Sequence, residues 1–138
     1  MCAISSHTPP ASLLDNSLTG NTASNNGGAG ILVEEVVGVI LTGNTLDNNE
    51  DGIDIDETTS GTISGNVVKN NASDGIFVSN HSAGNTFTGN TVTGNAASSR
   101  VVSFDLDDGS TGAGTDGTAN TWHKNKAGTA NPVGLLKA

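Results

Sequence analysis

The sequence predicts an all-β fold, a parallel β-helix in which short strands and sharp turns repeat along one axis. Five pairs of asparagines, each pair five residues apart, recur along the chain: Asn21/Asn26, Asn44/Asn49, Asn66/Asn71, Asn90/Asn95 and Asn120/Asn125. Consecutive pairs start 23, 22, 24 and 30 residues apart. A period in the low twenties is typical of a solenoid, in which each coil stacks on the previous one. The few large apolar residues fall in register with this period, which predicts an ordered chain of about five coils of roughly 22–24 residues.

The first element of each coil is a pair of strands around a Gly-Asn corner. An apolar residue precedes the first asparagine by three positions in four coils, at Leu18, Leu41, Ile63 and Phe87. A second apolar residue follows it by two positions, at Ala23, Leu46, Val68, Val92 and Trp122. Trp122 is therefore expected to point inward in the same column as Val92. The asparagines themselves are expected at corners with left-handed backbone, where their amides form hydrogen-bonded ladders between coils.

The next element is a short alternating strand. It occurs at 30–33, 52–55 and 75–78, with 103–106 as a degenerate fourth copy. Alternation predicts that Ile53 and Ile55 point inward and that Asp54 and Asp56 point outward. The repeat occupies residues 16–134; residues 1–15 have no repeat and are a candidate N-terminal cap, and 135–138 form a tail.

Net charge and the lack of long apolar runs argue against two classes of partner. The chain has 14 acidic and five basic residues, a net charge of −9. Nucleic acids are bound mainly through Lys and Arg, so nucleic acid is not expected as a partner. No apolar run approaches the roughly 20 residues of a membrane span, which argues against membrane insertion. An exposed first coil would leave strand edges unpaired, so end-to-end self-association is a further expectation.

Acidic residues are the candidates for chemistry. Asp54, Asp56 and Glu57 are predicted on one outward surface, with Asp105, Asp107 and Asp108 in matching positions two coils on, about 10 Å away by strand spacing. Such a surface could serve catalysis (Asp54, Asp56, Asp105, Asp107) or bind Ca²⁺ through all six carboxylates. Phe77, Asn80 and Arg100 are the candidate substrate-binding residues. The alternative to a functional site is that these acids only keep a repetitive β-surface soluble. The prediction is no cofactor, with Ca²⁺ as the alternative.

The chain resembles the right-handed parallel β-helix repeats of the pectate-lyase-like superfamily, in particular its NosD-like members. The resemblance rests on segments such as 89–95 (GNTVTGN), on the recurring DGI strands, and on the tail at 104–108, 120–122 and 128–132. It implies a right-handed helix, a link to polysaccharides and a secreted or cell-surface location. Members usually have ten or more coils, so the chain is expected to be the C-terminal part of a longer solenoid.

The catalytic patterns of that superfamily are missing from the sequence. There is no Asp with His-Gly, no Asp-Pro-His motif, and Arg100 is the one arginine. The resemblance therefore favours a non-catalytic β-solenoid module, structural or glycan-recognising. The alternative is a carbohydrate-active fragment, a polysaccharide lyase, epimerase or glycoside hydrolase, that uses the acidic surface with or without calcium.

Overall fold

The protein is a parallel β-helix with three sheets, which confirms the predicted fold. The computed structural model describes residues 2–5, 16–96 and 102–138. Sheet 1 has six parallel strands: β1 (Cys2–Ser5), β4 (Ile31–Glu34), β7 (Ile53–Asp56), β10 (Ile76–Val78), β13 (Leu106–Asp108) and β16 (Ala130–Asn131). Among the described residues no helix is long or apolar enough to cross a bilayer.

The other two sheets have five parallel strands each. Sheet 2 contains β2 (Ser17–Thr19), β5 (Ile40–Thr42), β8 (Thr62–Ser64), β11 (Thr86–Thr88) and β14 (Thr121–His123). Sheet 3 contains β3 (Thr22–Ser24), β6 (Thr45–Asp47), β9 (Val67–Lys69), β12 (Thr91–Thr93) and β15 (Lys126–Ala127). One strand from each sheet makes a coil: coil 1 is β1–β3, coil 5 is β13–β15, and β16 adds a final strand to sheet 1. The first strand, β1, lies within residues 1–15, where the sequence indicates no repeat.

The core is a set of stacked columns, one or two from each sheet. In sheet 1 the inward side chains alternate with outward ones, as predicted for Ile53 and Ile55, which are fully buried. The column of sheet 2 is Leu18, Leu41, Ile63, Phe87 and Trp122, and the column of sheet 3 is Ala23, Leu46, Val68, Val92 and Ala127. Trp122 is buried as expected, but the predicted column is wrong. It stacks on Phe87 with ring centroids 3.9 Å apart.

Asparagine ladders join the coils at the corners. In the first ladder Asn21, Asn44, Asn66 and Asn90 each donate from their backbone N–H and Nδ2 to Oδ1 of the asparagine one coil further on. The second ladder connects Asn26, Asn49, Asn71 and Asn95 in the same direction. Because the interior residues of both ladders are buried, these bonds satisfy polar groups that would otherwise destabilise the fold.

The residue with left-handed backbone is the one before each corner asparagine. The prediction that the asparagine itself adopts this conformation is therefore wrong by one position. Gly20, Gly43, Gly65 and Gly89 precede the first ladder with φ between 61° and 67°. Asn25, Asn48 and Asn70 precede the second ladder with φ between 56° and 58°. A positive φ at these positions turns the chain so that the next asparagine can extend its amide along the helix axis, which is why Gly or Asn occupies them.

The predicted register of coil 5 is wrong. Asn125, and not Asn120, continues the first ladder by accepting from Asn90. Asn120 instead continues a third ladder, in which Gly61 N–H donates to Asn85 Oδ1 and Asn85 donates to Asn120 Oδ1. The step from Asn90 to Asn125 is 35 residues, because the connection from β12 to β13 is longer than in earlier coils and coil 5 has an insertion between β13 and β14. This insertion includes a 3₁₀ turn, η1 (Thr115–Gly117).

The C-terminal end of the core is covered by a second 3₁₀ segment, η2 (Val133–Lys137). Leu135 from this segment is fully buried and belongs to the core cluster. Gly134 N–H donates to Asp116 Oδ2 at 2.8 Å, which ties η2 to η1. The residues assigned to a tail in the sequence therefore close one end of the solenoid.

Candidate functional site

On the outward surface of sheet 1, an aromatic ring lies between two carboxylates. Strand pairing aligns Leu32, Asp54, Phe77, Asp107 and Asn131 on successive strands β4, β7, β10, β13 and β16. Neighbouring strands are about 4.8 Å apart, so this column is about 19 Å long. We call it the sheet-1 outer column. Asn131 Nδ2 donates to Asp107 Oδ1 at 2.9 Å and fixes one end of the column.

Further acids surround this column. Glu34 and Asp56 pair on the neighbouring outward positions of β4 and β7. Asp51 and Asp74 lie in the corners that precede β7 and β10, where Asp74 N–H donates to Asp51 Oδ1 at 3.0 Å. Phe104 N–H donates to Asp74 Oδ1 at 2.5 Å. The surface therefore has a high density of negative charge around one partly exposed phenyl ring.

Burial and nearby negative charges raise the pKa values of four carboxyl groups on this surface, Asp51, Asp54, Asp74 and Asp107. Burial is the main cause that raises the pKa of Asp54 to about 6, and the charges of Asp51, Asp56, Glu34 and Asp74 raise it further. Burial also raises the pKa of Asp74 to about 6, against the opposing effect of the Phe104 hydrogen bond. Desolvation raises the pKa of Asp51 and of Asp107 as well.

Asp54 has an acceptor atom with no partner. Its Oδ1 is buried and receives no hydrogen bond, the one such side-chain atom among residues 2–5, 16–96 and 102–138. A buried acceptor without a donor is costly, so a turn of the carboxylate that brings this oxygen to a ligand hydroxyl or amide is favourable. Asp54 is the next residue in the column to Phe77. The two groups therefore define the centre of the candidate site.

Two of the other predicted acids, Asp105 and Asp108, do not lie on this surface. Asp105 and Asp108 were expected to point outward, and that expectation is wrong, since both are only 3% exposed. Leu106 and not Phe104 aligns with Ile76, so the fourth alternating strand is displaced by two residues from its predicted position. Asp107 alone of the three points outward from sheet 1, two strands from Asp54 as predicted.

Asp105 and Asp108 instead end two of the asparagine ladders. Asp105 Oδ1 accepts from Asn95 N–H at 3.0 Å and from Asn95 Nδ2 at 2.9 Å. Asp108 Oδ2 accepts from Asn120 Nδ2 at 3.1 Å and from Trp122 Nε1 at 2.8 Å. In these two ladders the donors face the C-terminus, so a carboxylate, which only accepts, satisfies the last asparagine of the stack. Both groups have a structural role in the described chain.

The remaining candidates lie apart from the column. Glu57 has an exposed side chain whose Oε1 is 3.9 Å from His81 Nδ1. Asn80 is exposed in the turn after β10, and Ser79 beside it is buried. Arg100 lies outside the described residues. Among the described residues, no three His, Cys, Asp or Glu side chains are close enough together to hold a metal ion.

Sequence reasoning did not identify Leu32, Asp51, Asp74 and Asn131 as part of this surface. A signal for two of them exists in the sequence, because the same Asp-Gly-Ile triplet occurs at 51–53 and 74–76. An acid repeated at one position of successive coils must lie near its copy. Leu32 has another signal, because the predicted strands at 30–33, 52–55 and 75–78 align it with Asp54 and Phe77. Asn131 has none, and strand register alone brings it into the column.

A family model described as "right handed beta helix region" matches residues 4–127. The match covers the five coils found in the structure. No curated protein and no solved structure matches the chain in the same comparisons.

Proposed function

The chain belongs to the right-handed β-helix family, and from this fold and the sheet-1 outer column we propose that it is a non-catalytic module that binds a neutral glycan. The observation that carries the proposal is Phe77 between Asp54 and Asp107 on adjacent strands. An aromatic ring supplies an apolar surface for the C–H face of a sugar ring. Carboxylates on both sides supply acceptors for its hydroxyl groups.

The charge of the surface selects the class of glycan. Burial, and to a lesser extent the neighbouring acids, raise the pKa values of Asp51, Asp54, Asp74 and Asp107. Because carboxylates are crowded on this surface, a further negative charge nearby is unfavourable. A uronate polymer would add such charge, whereas neutral sugar hydroxyls donate hydrogen bonds to carboxylates without it. Asp54 Oδ1 has no donor in the described chain, and one such hydroxyl satisfies it once the carboxylate turns toward the surface. Polysaccharide binding is consistent with the secreted or cell-surface location that we propose from the family resemblance.

The length of the column indicates the size of the ligand. Five outward positions extend over about 19 Å along the solenoid axis. A glycan lying along this axis contacts strands from successive coils, so that a chain of several sugars gains contacts that a monosaccharide does not. Rigid strands hold these contacts in place, which limits the entropic cost of binding. We therefore expect affinity to rise with the number of sugar units.

The test is binding of neutral oligosaccharides by titration calorimetry, with glucose-, xylose-, mannose- and N-acetylglucosamine-based oligomers and an oligogalacturonate for comparison. Phe77→Ala should weaken binding about tenfold or more, equivalent to about 1.4 kcal/mol. Val67→Ala is the matched control, because Val67 is a partly exposed outward residue on sheet 3. Absence of binding to every neutral oligomer, or equal effects of the two substitutions, would reject the proposal and leave a structural scaffold.

A second candidate, glycoside hydrolysis, is favoured by one observation. The pKa of Asp54 is raised to about 6, which suits a general acid near neutral pH. Asp107 lies two strands away, about 10 Å by strand spacing, close to the upper end of the separation in inverting enzymes. If hydrolysis occurs, the wild type releases reducing ends from an oligomer that it binds, and Asp54→Asn abolishes release while binding persists. A bound oligomer that stays intact excludes this candidate.

A further inference from the structure

The outward surface of sheet 2 carries a regular array of hydroxyl groups. In coils 2 to 5 the outward residues lie two apart on each of β5, β8, β11 and β14, and strand pairing aligns them in two columns. One column is Ile40, Thr62, Thr86 and Thr121, and the other is Thr42, Ser64, Thr88 and His123. All of them are exposed or partly exposed. We call these residues the sheet-2 outer face.

The array is evenly spaced in two directions. Neighbouring strands are about 4.8 Å apart, and outward residues two apart on one strand are separated by about 6.6 Å. The strands pair residue for residue from β5 to β14, so both distances repeat over four coils. They are close to the repeat distances of the oxygen atoms on a prism face of hexagonal ice. The hydroxyl groups can therefore take successive lattice positions of one crystal face.

Most of these hydroxyl groups are open to water. Thr42 Oγ1 and Ser64 Oγ are 3.2 Å apart and can bond to each other. Four further hydroxyl groups have no hydrogen-bond partner within the described chain, those of Thr62, Thr86, Thr88 and Thr121. Each of these threonines also presents a methyl group beside its hydroxyl. Water above this face therefore meets polar and apolar groups in a regular order.

Charge is missing from this face, although the chain has a net charge of −9. The sheet-2 outer face contains no Asp, Glu, Lys or Arg, and neither does the bordering column of Val37, Thr59 and Ala83. Charged residues lie on the outward surfaces of the other two sheets, at Glu34, Asp54, Asp56 and Asp107 on sheet 1 and at Asp47, Lys69 and Lys126 on sheet 3. A charged group is costly to transfer from water to a neutral surface, so this distribution favours an uncharged partner for sheet 2.

Two other uncharged occupants fit this face less well. Both aromatic residues of sheet 2, Phe87 and Trp122, point inward, so the face has no ring on which a sugar can stack. Within the face only Ile40 is a large apolar residue, so a second copy of the chain would bury little apolar surface there. An ordered layer of water needs neither feature.

We propose that the sheet-2 outer face binds ice. Its hydroxyl and methyl groups hold water in the arrangement of the crystal, and the face then adsorbs to a growing ice surface. The asparagine ladders keep the coils rigid, so that many weak contacts form together at a low entropic cost. An adsorbed chain holds back growth of the crystal, which lowers its freezing temperature but not its melting temperature. The proposal is independent of the glycan site, which lies on sheet 1.

The test is thermal hysteresis, the gap between the melting and freezing temperatures of a single ice crystal, measured with the full chain. Thr88→Tyr places a ring above the sheet-2 outer face. Thr91→Tyr is the matched control, because Thr91 is a partly exposed outward threonine on sheet 3, across the same Gly89-Asn90 corner. Tyrosine suits exposed strand positions, so both variants should fold. We expect hysteresis for the wild type and for Thr91→Tyr, and loss of most of it for Thr88→Tyr.

A second pair of variants protects the test against a folding defect. Thr86→Lys puts a charge on an exposed position of the face, and Val67→Lys puts one on an exposed outward position of sheet 3. Only Thr86→Lys should lose hysteresis, and urea unfolding should show both variants folded. Phe77→Ala should leave hysteresis unchanged, so this proposal and the glycan proposal can fail separately.

Three results would overturn the proposal. The first is a wild type that neither shapes ice crystals nor shows hysteresis at millimolar concentration. The second is an equal loss of hysteresis in the sheet-2 and sheet-3 variants. The third is a dimer in sedimentation equilibrium that Thr88→Tyr dissociates, because the face would then be an interface between two copies of the chain.

Discussion

Replacing Asp105 with asparagine should destabilise the protein although it changes only one oxygen to an amide nitrogen. Asp105 Oδ1 accepts from Asn95, and its Oδ2 accepts from Gly128 N–H at 2.8 Å and from Thr129 N–H at 3.2 Å. All four bonds need an acceptor. An asparagine has one acceptor oxygen and one donor nitrogen, so whichever way it is turned, two N–H groups face a donor.

The magnitude follows from the number of bonds lost. Two hydrogen bonds contribute about 1 kcal/mol each, and a donor left without an acceptor costs up to about 3 kcal/mol when it is buried. Gly128 and Thr129 are exposed, so water can reach their N–H groups after the change. We therefore expect a loss of about 2–3 kcal/mol in the free energy of unfolding.

The assay is urea unfolding at pH 7, followed by the fluorescence of Trp122, which is buried in the folded protein. Asp107→Asn is the control, because it is the same substitution two residues away on the outward surface. Its single hydrogen-bonded partner among the described residues, Asn131 Nδ2, can still donate to the new amide oxygen. We expect a change within about 0.5 kcal/mol there. Equal losses for the two variants would refute the role of Asp105 as the end of a ladder.

Two further predictions concern the acidic surface. The pKa of Asp54 is raised from 3.8 to about 6, so the folded chain binds this proton more tightly than the unfolded chain, and stability falls as pH rises from about 4 to about 6. Asp54→Asn should remove this part of the pH dependence and stabilise the protein at pH 7 by about 1 kcal/mol after allowance for solvent screening; unfolding curves with the same pH slope for both proteins would contradict it. Millimolar Ca²⁺ should leave the melting temperature unchanged, because no three acidic side chains of the described chain converge on one point; a rise with Ca²⁺ but not with Mg²⁺ that Asp54→Asn abolishes would instead establish a calcium site.

The repeat predicts most of coils 1 to 4. Strand alternation places Ile53 and Ile55 inward and Asp54 outward, and the structure confirms this. The ladders from Asn21 to Asn90 and from Asn26 to Asn95 were also predictable, because identical residues at a constant period must stack. These features are local or repeat at one period, so a single sequence contains the information that determines them.

The register of coil 5 could not be predicted from the spacing alone. Asn85, Asn90 and Asn95 are each five residues apart, so the pair Asn120/Asn125 can align with either of two pairs. Apolar periodicity does not decide between them, since both alignments place Trp122 in an inward column, beside Phe87 or beside Val92. The sequence around the first asparagine does decide, because an aromatic residue follows Asn-Thr both at 85–87 and at 120–122. The structure confirms that alignment by stacking the two rings.

The functions of Asp105 and Asp108 depend on register and on ladder direction, and this explains why a run of acids was mistaken for a surface. Both ladders donate from each coil to the next, so a long stack of asparagines leaves donors at its C-terminal end. Asp108 accepts such a donor from Asn120 and also the indole N–H of Trp122, and it occupies the inward position that Ile55 and Val78 fill in earlier coils. The last complete coil therefore replaces an apolar contact with an acceptor, because its neighbours have donors to satisfy. Asp54 has the opposite environment, because its Oδ1 has no donor in the described chain, and this difference separates the two acids that hold the fold together from the one that we propose for ligand binding.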